Sequence, residues 1–203
     1  LTLEDMTIDA TKGNNNVSYV MSNNCGNVKL QGNTNITAKD GTKAFDVCWA
    51  PNKGYPEGTQ VTVETTGTIK GDVEFDLWGT KSESAVLSTL TINSGNFDGN
   101  FVVTDLNSED VADKIKVNGG AFTDLENAIK YVQNGATIKL LKDASGNGIS
   151  VKGEAKRTFA IDFEGHTYKI VGPTLAGSTG TETQCFQFLK GSTITLKNGS
   201  IVA

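Results

Sequence analysis

Three carboxylates alternate with apolar residues in the segment GDVEFDLW. Asp72, Glu74 and Asp76 occupy every second position of this segment. A β-strand directs alternate side chains to the same face and rises roughly 3.3 Å per residue, so the carboxylates are expected on one face, about 7 Å apart. Such a row could bind Ca²⁺, or it could supply the acid and the base of a glycosidase. It could equally be the solvated outer face of a strand whose other face is core.

Three aromatic side chains in or beside loop segments are candidates for ligand contact. Trp49 and Tyr55 flank the loop WAPNKGYPEG, and Trp78 stands at the tip of LWGTKSES. Exposed aromatic rings on loops beside a rigid scaffold often stack against sugar rings. The alternative is that the rings cap an apolar core or pack their loops onto the scaffold.

Histidine and cysteine, the residues that most often build metal sites, are scarce. His166 is the single histidine, and no GxSxG or Cys-His context accompanies it, so it is not predicted to be catalytic. The cysteines Cys25, Cys48 and Cys185 show no CxxC spacing, which argues against a metal knuckle. They could form one disulfide and one free thiol, or three buried thiols. Apart from the Ca²⁺ considered above, no metal or cofactor is predicted.

Charge and composition exclude two classes of partner. The chain has 203 residues and a net charge of −5, and Arg157 is its single arginine. Phosphate binding needs clustered Lys and Arg, so no nucleic-acid partner is expected. No apolar run approaches the roughly 20 residues that cross a bilayer, so no membrane span is expected. The chain opens within a strand pattern and without Met, which is typical of a mature or excised piece of a longer protein.

One short pattern recurs along the chain and predicts the elements that carry these residues. Two apolar residues stand two positions apart, a polar stretch follows, and a third apolar residue completes the unit. The copies are Leu1/Leu3/Ile8, Val28/Leu30/Ile36, Val61/Val63/Ile69, Leu90/Ile92/Phe97, Ile115/Val117/Phe122 and Ile194/Leu196/Ile201. This spacing describes a strand that bends at a corner. Its repetition predicts a stacked β-solenoid.

The segment 123–134 is predicted to be an α-helix. Its apolar residues share one face at helical spacing: Leu125, Ala128, Ile129 and Val132. Thr123 and Glu126 predict a capping box at the start, and Gly135 a left-handed stop at the end. Such a helix can cover the apolar column of a terminal rung. The chain is predicted to be a single domain, 1–203, built as one stack or as two stacked segments, 1–122 and 137–203, around the helix.

Four segments resemble a known family. FTDLENAIKYVQNGATIKLLKD, IDFEGHTYKI, STITLKNGSI and LTLEDMTIDA are similar to right-handed parallel β-helix modules of the pectate-lyase-like class. Such modules are common in large secreted or surface proteins of anaerobic gut bacteria, many of them adhesin-like. The resemblance implies an all-β fold, a right-handed parallel β-helix with one capping α-helix, and a corner role for Gly165 and His166. The segment order looks permuted, which predicts that the strand at Ile194–Leu196 lies beside the strand at Leu1–Leu3.

The resulting interpretation is a non-catalytic β-helix module of a secreted or bacterial cell-surface protein. It would act as a rigid spacer or adhesin whose loops bind a glycan or a host or cell-surface protein through Trp49, Tyr55 and Trp78. One alternative is a polysaccharide lyase or glycoside hydrolase on the same fold, with the three alternating carboxylates as catalytic candidates. A second alternative is a self-assembling fibre subunit, because an open rung edge at each end permits head-to-tail stacking of a homo-oligomer.

Overall fold

The computed structural model describes residues 1–13, 16–23, 26–151, 156–178, 180 and 182–203. These residues are mostly β-strands in parallel sheets, together with one α-helix, so the predicted all-β class is confirmed. The chain divides into two compact units, Leu1–Lys116 and Val117–Ala203. The boundary lies inside the fifth copy of the repeated pattern, and the helix belongs to the second unit. Within the described ranges, no helix is long and apolar enough to cross a membrane.

Short strands joined by polar turns build the first unit. In chain order, its described strands are β1 (Thr2–Glu4), β2 (Thr7–Asp9), β3 (Tyr19–Met21), β4 (Asn27–Gly32), β5 (Asn35–Thr37), β6 (Lys43–Trp49), β7 (Gln60–Lys70), β8 (Asp72–Leu77), β9 (Thr89–Asp98), β10 (Phe101–Thr104) and β11 (Ile115–Val117), which crosses the unit boundary. A 3₁₀ helix, Pro51–Lys53, follows β6. One parallel sheet contains β1, β4, β7 and β9 side by side, with β2 pairing with β5, β5 with β7 and β11 with β9. The second parallel sheet contains β3, β6, β8 and β10 in that order.

The repeated pattern aligns from strand to strand in this unit. One column of facing residues runs through Leu3, Leu30, Val63 and Ile92. A second column runs through Ile8, Ile36, Ile69 and Phe97. Removing apolar side chains from water stabilises the fold by about 25 cal/mol per Å², so these columns, buried from the second copy onward, form the core. The first four copies of the repeated pattern therefore pair in register.

A column of buried hydroxyls lies at the corner between β4 and β5. Thr34 and Thr65 are completely buried. The Thr34 N–H donates to Thr65 Oγ1 at 2.9 Å, and the Thr65 hydroxyl lies 3.0 Å from the Gly32 carbonyl oxygen. Ser94 on β9 continues the column by donating its hydroxyl to the Thr65 carbonyl at 2.9 Å. Because buried backbone groups must be paired, these hydroxyls allow the chain to bend inside the core.

The second unit repeats the parallel arrangement and contains the helix. Its described elements are β12 (Ala121–Phe122), α1 (Leu125–Tyr131), β13 (Thr137–Leu140), β14 (Ala144–Gly146), β15 (Ile149–Val151), β16 (Thr158–Asp162), β17 (Thr167–Ile170), β18 (Phe186–Phe188), β19 (Thr193–Lys197) and β20 (Ser200–Val202). One parallel sheet contains β12, β13, β16 and β19, and another contains β14, β17 and β20. β15 pairs with β18.

The strands of the sixth copy have neighbours other than the predicted ones. Ile194 lies opposite Phe159, and Leu196 lies opposite Ile161, so β19 extends the sheet beyond β16. The predicted partner strand, Leu1–Leu3, pairs with β4 instead. Within each unit, strands stack in the order in which they occur in the chain. The permuted stacking order proposed from the resemblance is therefore wrong within the units.

The N-cap of the helix lies one residue later in the chain than predicted. It is Asp124, whose carboxylate accepts the Asn127 N–H at 3.1 Å. The predicted N-cap at Thr123 is wrong by one position, because the Asp124 side chain is the group that accepts an N–H of the first turn.

The helix is also shorter than predicted at its end. Val132 already has an extended backbone (φ −60°, ψ 134°), and it bridges to Val117. Gly135 has a left-handed φ of 84°, but it lies in the turn after the helix. Arg157 closes the helix by donating Nη2 to the carbonyls of Ile129 at 2.7 Å and Val132 at 2.9 Å. The predicted apolar face of the helix is buried.

Candidate functional site

Two of the three alternating carboxylates meet polar residues of neighbouring strands in the second sheet of the first unit. In the register of β6 and β8, Asp46 lies opposite Glu74 and Cys48 lies opposite Asp76. Parallel strands in register place equivalent side chains on the same face. The sheet therefore assembles three carboxyl groups and one thiol, and Asp46 is a member that the sequence reasoning missed.

Glu74 is buried and surrounded by donors. Only 2% of the residue is exposed, and its carboxylate contacts Lys43 Nζ at 2.7 Å and Thr104 Oγ1 at 2.5 Å. Tyr19 also donates its hydroxyl to this carboxylate. Burial raises the pKa of Glu74, but these donors outweigh burial and the net shift is downward. Glu74 is therefore an ionised group whose oxygens are already occupied.

Asp46 is buried beside it and is held by the segment after β3. Its carboxylate accepts the Asn23 N–H at 2.6 Å and the Ser22 hydroxyl at 2.9 Å. Burial raises the pKa of Asp46, and the negative charge of Glu74 adds to the increase.

Asp76 has the most perturbed carboxyl group of the three. Burial, followed by the charges of Asp46 and Glu74, raises its pKa to about 7. Its Oδ1 atom is buried without a hydrogen-bond partner among the described residues. Cys48 hydrogen-bonds to Asp76, and burial raises the pKa of the Cys48 thiol to about 12. Cys48 is therefore a neutral donor near pH 7 and not a nucleophile.

A small pocket opens onto this group of residues. We call it the acidic pocket; its volume is about 230 Å³, and it is lined by Tyr19, Ser22, Asp46, Cys48, Asp76 and Trp78. Most of its polar atoms are acceptors or hydroxyls, and Lys43 is engaged with Glu74. The pocket can therefore accept hydrogen bonds from a ligand rich in hydroxyl or amino groups.

An aromatic pair stands at the rim of the acidic pocket. Trp78, which is 47% exposed, stacks on Tyr55 with the ring centroids 6.0 Å apart and the planes inclined by 21°. Asn52 joins the loops that carry the two rings, because its Nδ2 donates to the Thr80 carbonyl at 2.6 Å. The structure thus brings together two of the three predicted aromatic residues.

Trp49 does not belong to this pair. Only 1% of it is exposed, and it lies opposite Leu77 in the register of β6 and β8. The prediction that Trp49 contacts a ligand from a loop is wrong, because its ring packs in the core at the end of β6.

Asp72 lies apart from the other two predicted carboxylates. It accepts hydrogen bonds from the backbone N–H of Asn100 at 2.8 Å and from its side-chain Nδ2 at 3.0 Å. Of the three predicted site carboxylates, Asp72 therefore does not line the acidic pocket, and the alternative of a solvated outer face is wrong, since Glu74 is buried. In the described residues, no group of three or more His, Cys, Asp or Glu side chains is arranged to hold a metal ion. The Ca²⁺ site stays a prediction.

The remaining candidates lie outside the acidic pocket. Gly165 has a left-handed φ of 87°, and His166 Nδ1 lies 3.4 Å from Asp143 Oδ1 at the neighbouring turn, which agrees with a corner role. Cys185, like Cys48, is a free thiol. Cys25 lies outside the described residues.

A larger cavity, of about 570 Å³, lies in the second unit. Its lining includes Glu126 and Lys130 of α1, together with Arg157 and Glu182. The Arg157 guanidinium is already bonded to helix carbonyls, whereas in the acidic pocket burial raises the pKa of Asp76. The acidic pocket is therefore the stronger candidate site, although it is smaller.

No protein-family model, curated protein or solved structure matches the chain. The chemistry of the acidic pocket is therefore inferred from its own geometry.

One sequence signal could have indicated Asp46. It is the single charged residue in the otherwise apolar strand segment AFDVCW, and a buried charge of this kind needs partners.

Proposed function

We propose that the chain is a non-catalytic right-handed parallel β-helix module of a secreted or bacterial cell-surface protein, and that its acidic pocket binds a sugar unit of a glycan. The in-register parallel ladders of both units support the β-helix. Connections between parallel strands of one sheet are right-handed in about 98% of cases, which favours that hand. A stiff stack of strands would hold the pocket and its rim in a fixed geometry.

The observation that carries the proposal is the exposed Trp78 ring beside a pocket of carboxyl and hydroxyl groups. Aromatic faces attract the apolar C–H faces of sugar rings, while a carboxyl group such as that of Asp76 suits sugar hydroxyls. Tyr55 stacks on the Trp78 ring and restrains it, so little conformational freedom is lost on binding.

The negative charge of the acidic pocket limits the classes of glycan that it could bind. In the part of the chain that the structure describes, Lys43 is the cation that contacts Glu74 and lies near Asp76, while Asp46 adds a third carboxyl group. A uronic-acid chain would place a further negative charge beside these carboxylates, which is unfavourable. The ligand we propose is therefore a neutral or amino sugar rather than an acidic polysaccharide.

The same geometry favours binding over hydrolysis. A glycosidase needs two carboxyl groups that can flank the bond to be cleaved. Glu74 is enclosed by donors, and both oxygens of Asp46 are occupied by Ser22 and Asn23. Only Asp76 has a carboxyl oxygen without a partner. The described residues of this pocket therefore do not present the second carboxyl group that a glycosidase needs.

Titration calorimetry with a panel of neutral, amino and uronic-acid oligosaccharides tests the proposal. We expect a neutral or amino oligosaccharide to bind, and Trp78→Ala to weaken that binding about tenfold or more, because one stacked aromatic ring contributes roughly 1–2 kcal/mol. Phe188→Ala is the matched control, since Phe188 is an exposed aromatic residue of the second unit; its affinity should stay unchanged.

Three results would contradict the proposal. If no neutral or amino sugar binds, the proposed class of ligand is wrong. If Trp78→Ala and Phe188→Ala lose the same amount of affinity, the ligand does not bind at the acidic pocket. Release of reducing ends or unsaturated products during incubation would show an enzyme and would replace the binding module with the hydrolase or lyase alternative.

A further inference from the structure

One carboxyl group of the acidic pocket, that of Asp76, is open to a ligand. Its Oδ1 atom is buried without a hydrogen-bond partner among the described residues, and Asp76 lines the cavity. Asp46 differs, because Ser22 and Asn23 already donate to its two carboxylate oxygens. Glu74 differs too, because its donors enclose it. A buried polar atom without a partner costs free energy, and a ligand that supplies the partner recovers it.

The surroundings of Asp76 favour a positively charged partner. Burial, followed by the negative charges of Asp46 and Glu74, raises the pKa of Asp76. Lys43 supplies a positive charge, but its Nζ atom lies 2.7 Å from Glu74 and is engaged there. A cation that entered the cavity would offset the repulsion between the carboxylates. Its hydrogen bond to an ionised carboxyl group would be about twice as strong as a neutral one.

The other polar neighbours of Asp76 on the adjacent strands are neutral near pH 7. Cys48 on β6 hydrogen-bonds to Asp76, and burial raises the pKa of this thiol to about 12. Burial and the hydrogen bond to Glu74 also raise the pKa of the Tyr19 hydroxyl on β3. Thr104 lies opposite Asp76 on β10. None of these three groups supplies the charge that would balance an ionised Asp76.

A protonated amino group fits this arrangement better than a metal ion. Ca²⁺ takes about six to eight oxygen ligands, whereas the open carboxyl group among the described residues of the cavity is that of Asp76. An ammonium group needs only a single strong acceptor to gain a charged hydrogen bond. Trp78 lines the same cavity, and an aromatic face attracts both a cation and the C–H face of a sugar ring. One amino sugar can therefore contact both residues.

We propose that Asp76 determines the specificity of the acidic pocket: its Oδ1 atom accepts a hydrogen bond from the protonated amino group of an amino sugar, while Trp78 contacts the sugar ring. Asp76 can select a ligand only if the pocket binds a glycan as proposed above, and the selection narrows that glycan to one with a free amino group. Asp76 must be ionised to pair with the cation, so binding releases a proton wherever the empty pocket holds Asp76 protonated. A pKa of about 7 puts this release at and below neutral pH.

Titration calorimetry with three oligosaccharides of equal length and linkage tests this selection. The three are built from glucosamine, N-acetylglucosamine and glucose, so that only the first carries a free amino group. At about pH 7 the glucosamine oligomer should bind about tenfold more tightly than the other two. At about pH 6, titrations in two buffers of different ionisation enthalpy should show release of about one proton per glucosamine oligomer bound, and no release with the glucose oligomer.

Asp76→Asn keeps the shape of the side chain and removes its charge. The preference for the glucosamine oligomer should fall to within about twofold, and proton release should cease. Asp113→Asn is the matched control, because it removes a carboxylate of the first unit at a side chain that is 76% exposed and outside the acidic pocket. It should leave both quantities unchanged. Tryptophan fluorescence confirms that each variant is folded.

The outcomes separate the role of Asp76 from glycan binding itself. Equal affinities for the three oligosaccharides, or a glucosamine preference that Asp76→Asn retains, would overturn the role of Asp76 and leave glycan binding intact. A preference that both variants lose equally would show attraction to the net charge of −5 and would overturn that role as well. Glucosamine binding without proton release at about pH 6 contradicts it in the original chain, whatever the variants do. Binding of none of the three would refute glycan binding and the selection together.

Discussion

Replacing Asp76 with asparagine should stabilise the first unit at high pH and have little effect at low pH. The Asp76 carboxyl group has a pKa of about 7 in the folded chain, compared with an ordinary value of 3.8. Below about pH 4, the carboxyl group is protonated in both the folded and the unfolded chain. Between about pH 4 and 7, only the folded chain retains the proton, so the free energy of unfolding falls as pH rises through this range.

The size of the effect follows from the difference between the two pKa values. A difference of about three pH units corresponds to about 4 kcal/mol when Asp76 is fully ionised, and its partial exposure to solvent reduces the expected value to about 2 kcal/mol. The raised pKa of Asp46 acts in the same direction. The lowered pKa of Glu74 reduces stability only as pH falls below its ordinary value of 4.5, at the lower end of this range, and it does so equally in the original chain and in the variant.

Thermal unfolding followed by tryptophan fluorescence measures this effect selectively. The two tryptophans of the chain, Trp49 and Trp78, both lie in the first unit, so their emission monitors that unit. We expect Asp76→Asn to match the original chain closely at about pH 4 and to melt about 8 °C higher at about pH 8.5, at about 4 °C per kcal/mol. Asp113→Asn, at a side chain that is 76% exposed, should leave the pH dependence unchanged.

The reasoning is refuted if the original chain and Asp76→Asn show the same dependence of melting temperature on pH. It is also refuted if the original chain becomes more stable between about pH 5 and 8.5, because the sign of the effect follows from the raised pKa of Asp76.

Two further predictions concern the backbone and the helix. A Cβ atom at Gly67 would lie 2.2 Å from the Thr34 carbonyl oxygen, so Gly67→Ala should lower the free energy of unfolding by about 3 kcal/mol; Gly26→Ala, whose Cβ would have its nearest neighbour at 3.5 Å, is the control, and equal urea midpoints would contradict the expectation. Arg157→Met keeps the aliphatic stem but removes both hydrogen bonds to the end of α1. Amide exchange of the helix should accelerate about tenfold or more, and unchanged protection would show that these bonds do not hold the helix.

The apolar columns could be predicted from the sequence because their signal is local. Leu30 and Val63 each belong to a period-two pair that repeats with a corner after it, and identical units can bury their apolar faces only by stacking in register. The predicted permutation failed because it rested on the order of similar segments. Nothing in the residues of β16 and β19 prevents them from pairing in chain order, and they do so.

The acidic pocket could be predicted only in part, because its residues meet across long separations in the chain. Tyr19 and Glu74 are 55 positions apart, and no short pattern connects them. The alternation of acidic and apolar residues in β8 correctly predicted that its carboxylates and the core side chains between them lie on opposite faces of the strand. It could not show that Tyr19, Lys43 and Thr104 cover the face that carries those carboxylates.

The hydroxyl column at the corner after β4 bears on how such a chain can change length during evolution. In the first unit, successive strands of the sheet present hydroxyls that satisfy the backbone of the strand before them, as Thr65 does for Gly32 and Ser94 for Thr65. A duplicated segment that carries one strand pair and its corner would bring its own donor and would find the acceptor it needs already in place. Gene duplication could therefore add a strand pair with its corner without leaving a buried carbonyl unpaired, whereas a shorter insertion inside the corner would break the column.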